Sequence, residues 1–206
     1  MNILITGGAG YLGSEMVGFL LNEGHKVTVI DTLDYGSNSL LRYVGNDNFN
    51  FYKLDVRRDD LLKPYLDKAD VIIPLACLVG FPLCEKNPTD AVQINHEANK
   101  WIAKNKSKDQ ILIYPCTNSG YGVSKDGKVC DENSPMNPIS LYGITKVDAE
   151  KEYQQTDGCC TLRLATVFGP SSRPRTDLLV NNFVLKALKE RVLVLYECEF
   201  MRNYVH

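Results

Sequence analysis

Three residues in this 206-residue chain have the types and spacing of a proton-transfer device. Tyr142 and Lys146 stand four positions apart in a helical pattern, so a phenol and an ammonium share one helical face. An unperturbed phenol, with a pKa near ~10, is a poor base at neutral pH. A cation alongside favours the phenolate, which can take a proton from a hydroxyl while hydride leaves the same carbon. Thr117 follows an apolar strand-like run and is placed to hydrogen-bond to the reacting oxygen. Such chemistry needs a hydride acceptor.

The acceptor is indicated near the N-terminus. A strand-like run enters Gly7-Gly-Ala-Gly-Tyr-Leu-Gly13, and a helical pattern follows. Gly7 permits a tight turn, Gly10 lets backbone approach a pyrophosphate, and Gly13 lets the helix pack on the strand. Tyr11 and Leu12 complete the loop at the helix N-terminus, which attracts the anion. The second strand ends at Asp31, 18 residues beyond Gly13. A carboxylate there accepts hydrogen bonds from ribose hydroxyls and repels a 2′-phosphate, so NAD is favoured over NADP.

The elements that position these groups alternate along the chain. Strands are predicted over 2–6, 26–30, 50–54, 71–74, 110–115 and 159–164, with helices over 11–23, 59–67, 88–104 and 141–156. The strands read as apolar runs without alternation, which implies burial on both faces of a parallel sheet covered by helices. The expected fold is therefore α/β, a Rossmann-type doubly wound parallel sheet. A dinucleotide-binding domain is expected over 1–169. Residues 170–206 read as the start of a small, incomplete substrate-binding part, with a helix near 178–189 and a short strand at 192–195.

Composition narrows the partners. Hydrophobic residues are 44%, charged residues 23%, and the net charge is -2, so no basic field gathers nucleic acid. No apolar run approaches the ~20 residues of a membrane span. The first residues read directly as a strand, without a leader's basic region and cleavage site, and a cytoplasmic location is expected. Seven cysteines without metal-type spacing read as small apolar fillers, and no metal is expected.

Together the glycine loop, Asp31, Thr117, Tyr142 and Lys146 resemble the extended short-chain dehydrogenase/reductase family, the NAD-dependent epimerase/dehydratases that act on nucleotide sugars. By that resemblance Tyr142 is the catalytic acid/base and Lys146 holds Tyr142 and the nicotinamide ribose, with Thr117 assisting. The resemblance also assigns Asp55 and Val56 to the adenine, Leu75 and Ala76 to the cofactor groove, and Asn95 to support of the relay. Residues 73–80, 114–122, 163–169, 173–175 and 177–181 resemble bacterial GDP-D-glycero-D-manno-heptose 4-dehydrogenases. Those enzymes oxidise C4 of the sugar and return the hydride to 2-oxoglutarate. Cys116 departs from the asparagine expected there.

Asn118 and Ser119 occupy positions where a 4,6-dehydratase carries an Asp-Glu pair, and neither supplies a strong acid or base. They, with Arg173, Arg175, Asn181 and Arg202, are the contacts to the sugar nucleotide that the resemblance implies; a guanidinium fork suits phosphate, and Arg173 and Arg175 read equally well as part of a solvated loop. The helices at 88–104 and 141–156 resemble those that pair subunits, implying a homodimer. Trp101, Ile102, Leu141, Val147 and Tyr153 read equally well as interface or core. Two other readings stand beside the dehydrogenase: an NAD-dependent 4-epimerase and a non-catalytic NAD-binding module. An intact Thr–Tyr–Lys set weighs against the module.

Overall fold

Six strands form one parallel sheet: β1 (Asn2–Thr6), β2 (Lys26–Asp31), β3 (Phe49–Lys53), β4 (Val71–Pro74), β5 (Ile111–Thr117) and β6 (Cys159–Leu164). Their order is β3-β2-β1-β4-β5-β6, in a computed structural model that describes residues 1–123 and 129–206. The strand order reverses beside β1, between β1 and β4, which opens the crevice where ligands bind in doubly wound sheets. Every neighbouring pair is parallel, so the carboxyl ends of all six strands share one edge.

Alternation along β1 splits the core in two. Ile3 and Ile5 face Val17, Val27 and Val29 on one side, where α1 (Tyr11–Asn22) packs. Leu4 joins Leu62, Ile72, Ile102 and Tyr153 on the other, beneath α2 (Asp59–Leu66), α5 (Ala98–Asn105) and α6 (Leu141–Gln154). Only the inner strands are apolar on both faces. β3 and β6 lie at the sheet edges, with Asn50, Tyr52, Cys160 and Leu162 exposed, contrary to the uniform burial expected for all six.

The predicted helix over 88–104 is three pieces: α4 (Pro88–Val92), a π-helical turn at Gln93–Glu97, and α5. A short helix before it, α3 (Phe81–Lys86), carries no length or periodicity that marked it in sequence. The strand expected at 192–195 does not form. Val192, Leu193, Val194 and Leu195 are exposed, and no described strand lends them a hydrogen-bonding edge. Instead β7 (Thr166–Val167) pairs with β8 (Tyr204–Val205), and α7 (Leu179–Lys189) between them buries no residue fully.

All seven cysteines are free thiols; Cys84 and Cys116 are buried, but Cys130, Cys160 and Cys198 are exposed and fill no core. Ile102, Val147 and Tyr153 are core residues, while Trp101 and Leu141 are half-buried. Among the described residues, no helix is long and apolar enough to cross a membrane.

Candidate active site

The carboxyl edge of the sheet carries a groove of about 860 Å³. The glycine turn forms one end. Gly7 adopts φ +71°, and a Cβ there would lie 2.5 Å from the Ala76 backbone nitrogen. A Cβ on Gly13 would lie 2.6 Å from Gly8 Cα, so helix and turn pack too closely for any side chain. Gly10 caps α1, and the first-turn amides of Tyr11, Leu12 and Gly13 have no intrahelical acceptor. They are the donors that a pyrophosphate needs.

Asp31 ends β2 beside this turn. Its carboxylate accepts the Ala9 N–H at 3.0 Å and the Leu33 N–H at 2.8 Å. Burial raises its pKa, while those two hydrogen bonds oppose the shift. Val56, Leu75 and Ala76 line the same groove. Asp55 lines it too, but its side chain is gripped by Arg57, with Nε at 3.0 Å and Nη2 at 2.6 Å. Those hydrogen bonds hold the Asp55 carboxyl below its ordinary value.

At the other end, α6 begins at the Ser140 cap, whose hydroxyl accepts the Gly143 N–H at 3.1 Å. The helix delivers Tyr142 and Lys146 into the groove, and β5 delivers Thr117 at its last residue. Thr117 Oγ1 accepts the Ser119 N–H at 3.2 Å, capping the turn Asn118–Tyr121, and its hydroxyl also meets the Tyr142 phenol. The three residues singled out in sequence therefore converge.

The electrostatics depart from expectation. Lys146 was expected to hold the phenol acidic. Instead burial pushes the Tyr142 phenol well up, and only the Thr117 hydrogen bond opposes it appreciably. Lys146 is itself buried, which lowers its pKa, and its Nζ lies 4.0 Å from the centre of the Tyr114 ring. Desolvation outweighs what opposes it in both cases: the Thr117 hydrogen bond at Tyr142, and Cys77, Cys116 and Glu150 around Lys146.

Asn95 lies behind the groove and outside its lining. It sits fully buried in the π-helical turn, accepts the Leu78 N–H at 2.8 Å, and donates to the Leu78 carbonyl and to Thr145 Oγ1. It thus braces the loop after β4 against α6, one residue from Lys146.

Arg173 and Arg175 line the groove. The Arg173 guanidinium stacks 4.0 Å above the Tyr35 ring, and Arg175 is paired with Asp177 through Nε at 2.7 Å. Ser119 and Asn118 also line it, with Asn118 Nδ2 donating to Asn203 at 2.7 Å. Arg202 is exposed beside β8 and is not among the groove residues. The Asn181 amide is engaged within the protein, by Gly169, Tyr11 and Arg175.

Sequence reading missed Glu150. Its buried carboxylate binds Arg163 Nε at 3.0 and 3.1 Å and Thr161 Oγ1 at 3.0 Å, and accepts the Cys116 thiol at 3.6 Å. Arg163 Nη1 continues to the Tyr121 hydroxyl at 3.2 Å. Its position four residues after Lys146 was the available signal.

A doubly wound sheet with a glycine turn at its switch point, an acid ending β2 and a Thr–Tyr–Lys set across the groove defines a dinucleotide-binding protein. The chain belongs to the NAD dependent epimerase/dehydratase family, whose model matches residues 3–206. NAD is the family's cofactor, and the amide donors, the Asp31 carboxylate and the groove's volume fit it.

The chain is 31% identical to Protein CapI of Staphylococcus aureus, with 100% of this chain and 66% of that protein covered. It superposes on the UDP-glucose 4-epimerase of Thermotoga maritima with UDP-glucose, with TM-score 0.84 and 26% identity, covering 100% of this chain and 69% of that one. Bordetella bronchiseptica WbmG in complex with NAD gives TM-score 0.78 and 29% identity over 93% of this chain and 60% of that one. The chain spans 66% or less of the length of the curated relatives it matches.

Proposed function

We propose that the protein oxidises C4 of a nucleotide-linked sugar, with GDP-D-glycero-D-manno-heptose as substrate, in the making of capsular or other surface polysaccharide. The observation that carries this reading is the convergence of Thr117, Tyr142 and Lys146 on the groove that also holds the glycine turn and Asp31. The heptose assignment rests on the resemblance of 73–80, 114–122 and 163–169 to the heptose dehydrogenases.

When bound, NAD would supply the hydride acceptor and, in its oxidised form, a positive charge. Gly7, Gly10, Tyr11, Leu12, Gly13 and Asp31 would hold its pyrophosphate and ribose, Asp55 and Val56 its adenine, and Leu75, Ala76 and Lys146 its other half. Tyr142 takes the proton of the sugar hydroxyl and Thr117 orients that oxygen. The raised phenol pKa favours the protonated form, which is set to give a proton; to take one, Tyr142 would have to act as the phenolate, the form that the positive charge of an oxidised cofactor would favour. Arg173 and Arg175 line the groove, where a guanidinium suits the nucleotide diphosphate, Arg175 on exchanging its Asp177 partner for it, and Arg202 is the outlying candidate for the same task. With Asn118 and Ser119 in the turn after Thr117, no acid–base pair is present there for elimination of water.

A homodimer through α4–α5 and α6, a cytoplasmic location and 2-oxoglutarate as the final hydride acceptor belong to the same proposal. A second reading, 4-epimerisation, is supported by the likeness to a UDP-glucose 4-epimerase.

Incubation of the full-length protein with GDP-heptose, GDP-mannose and UDP-glucose, with and without 2-oxoglutarate, tests both readings by mass spectrometry and NMR. A 4-keto sugar with NADH supports the dehydrogenase, and an epimer without net redox change replaces it by the epimerase. Tyr142→Phe is expected to bind NAD and lose oxidation; unchanged turnover would remove Tyr142 from its role.

A further inference from the structure

The loop after β7 is fastened to the cofactor-binding turn by a dense set of hydrogen bonds. The Tyr11 hydroxyl donates to the Gly169 carbonyl at 2.7 Å and accepts from Asn181 Nδ2 at 3.1 Å. Asn181 also accepts the Gly169 N–H at 3.0 Å and donates to the Arg175 carbonyl at 3.0 Å. Its three polar contacts close a ring around Tyr11, Gly169 and Arg175. Ser171 Oγ donates to the Tyr11 carbonyl at 2.7 Å and meets Ser14 Oγ at 3.1 Å.

A second clasp lies one turn along α1. Glu15 Oε1 accepts the Ser172 N–H at 2.8 Å, the Ser172 hydroxyl at 2.9 Å and Arg42 at 3.1 Å. Both clasps start from the first turn and a half of α1, whose leading amides face the groove. Both end on the segment that presents Arg173 and Arg175 to the same groove. Residues more than 150 positions apart in sequence are thus joined by side chains that have no part in the proton relay.

We propose that Tyr11 and Asn181 are positioning residues, a latch through which occupancy of the glycine turn by the cofactor fixes the arginine-bearing loop, so that dinucleotide and nucleoside diphosphate bind cooperatively. The inference rests on the cofactor reading above and goes beyond it, because it gives Asn181 a task other than direct ligation. The physical basis is local. Anion binding at the α1 amides restrains the Tyr11 backbone and ring, and the phenol then holds Gly169 and Asn181 in one arrangement. A second ligand meeting an already ordered loop loses less conformational entropy on binding.

Hydrogen exchange on the full chain tests this, because the Gly169 and Ser172 amides and the Arg173 amide, bonded to Ser171 Oγ at 3.1 Å, report on the loop directly. Saturating NAD is expected to slow these amides about five-fold or more, the lower end of measured site-to-site coupling. In Tyr11→Phe, which keeps the ring, and in Asn181→Ala, that NAD-dependent ratio falls to about one. A purely structural role would speed exchange with and without NAD alike and leave the ratio intact, which overturns the latch. Protection of the glycine-turn amides without any change at 169–173 also overturns it. Absence of protection at both places overturns the cofactor reading instead, so the two failures are distinct. Calorimetry with GDP and UDP as probes gives the reciprocal measure: NAD tightens their binding about five-fold in the wild type and leaves it unchanged in Tyr11→Phe.

Discussion

Replacing Glu150 by Gln keeps the side chain's shape and removes its charge, leaving Arg163 without its ionic partner. The two side chains are 3% and 13% exposed, and the carboxylate engages the guanidinium, Thr161 and Cys116 together. Breaking a buried pair from one side costs about 3–5 kcal/mol, because the remaining charge is stranded. Arg163 keeps the Tyr121 hydroxyl and the Glu132 carbonyl and retains some water, so the lower end, about 3 kcal/mol, is expected. At roughly 2–4 °C per kcal/mol for a chain of this size, Tm falls by about 6–12 °C. Arg163→Met is expected to cost a similar amount, and the double variant less than the sum by about 1–3 kcal/mol. Thermal and urea unfolding of all four proteins measures the cycle. A loss below ~1 kcal/mol in Glu150→Gln, or strict additivity, would refute the claim that this pair ties α6, β6 and the turn at Asn118–Tyr121 together.

Three other outcomes follow from the same geometry. Gly13→Ala places a methyl against the Gly8 and Gly7 backbone, so it is expected to cost about 1–3 kcal/mol and to weaken NAD binding at least ~10-fold, read by unfolding and calorimetry; unaltered affinity would contradict the packing account. Asp31→Asn leaves one carbonyl oxygen for two loop amides and removes the charge facing a 2′-phosphate, so NAD affinity falls and the preference over NADP narrows in parallel titrations. The thiols of Cys77 and Cys116 are pushed up to about 11 and about 12, and burial also raises the phenols of Tyr114, Tyr142 and Tyr153. Groups raised in the folded state stabilise it below their unfolded pKa and lose that contribution as pH climbs through the folded value. Lys146, lowered by burial, works in the opposite direction and offsets one of the five. The free energy of unfolding should therefore drop between pH 9 and 12 by about 1.4 kcal/mol per pH unit per uncompensated group, and Tm with it, less steeply in Cys116→Ala; a flat profile would exclude the buried acids as its source.

What was legible in sequence was what is local. The glycine turn, Asp31 and the Tyr142–Lys146 pair each lie within one element and its flanking turn, where spacing alone dictates placement. Convergence of Thr117 on Tyr142 followed because strand ends share an edge in a parallel sheet. The latch was not legible, since Tyr11 and Asn181 are brought together only by the tertiary fold. Nor was the β7–β8 pair: two residues on each strand carry no periodicity, whereas the run at 192–195 carried apolar character without a partner. The direction of the Tyr142 shift failed for a related reason. Spacing shows the neighbouring cation, but the depth of burial that opposes it belongs to the assembled groove.

The π-helical turn that aims Asn95 at Leu78 has a genetic consequence. A wide turn accommodates one residue more than a regular helix, so removal of a single codon between Gln93 and Glu97 would give a smooth α-helix of ordinary pitch. Because the wide turn already absorbs that residue, Ala91 and Ile102 would still face the interior after the deletion, and what would be lost is the outward displacement that aims Asn95 at Leu78. The irregular spelling of this stretch therefore serves the placement of one side chain, Asn95, while the helix on either side keeps its inward face.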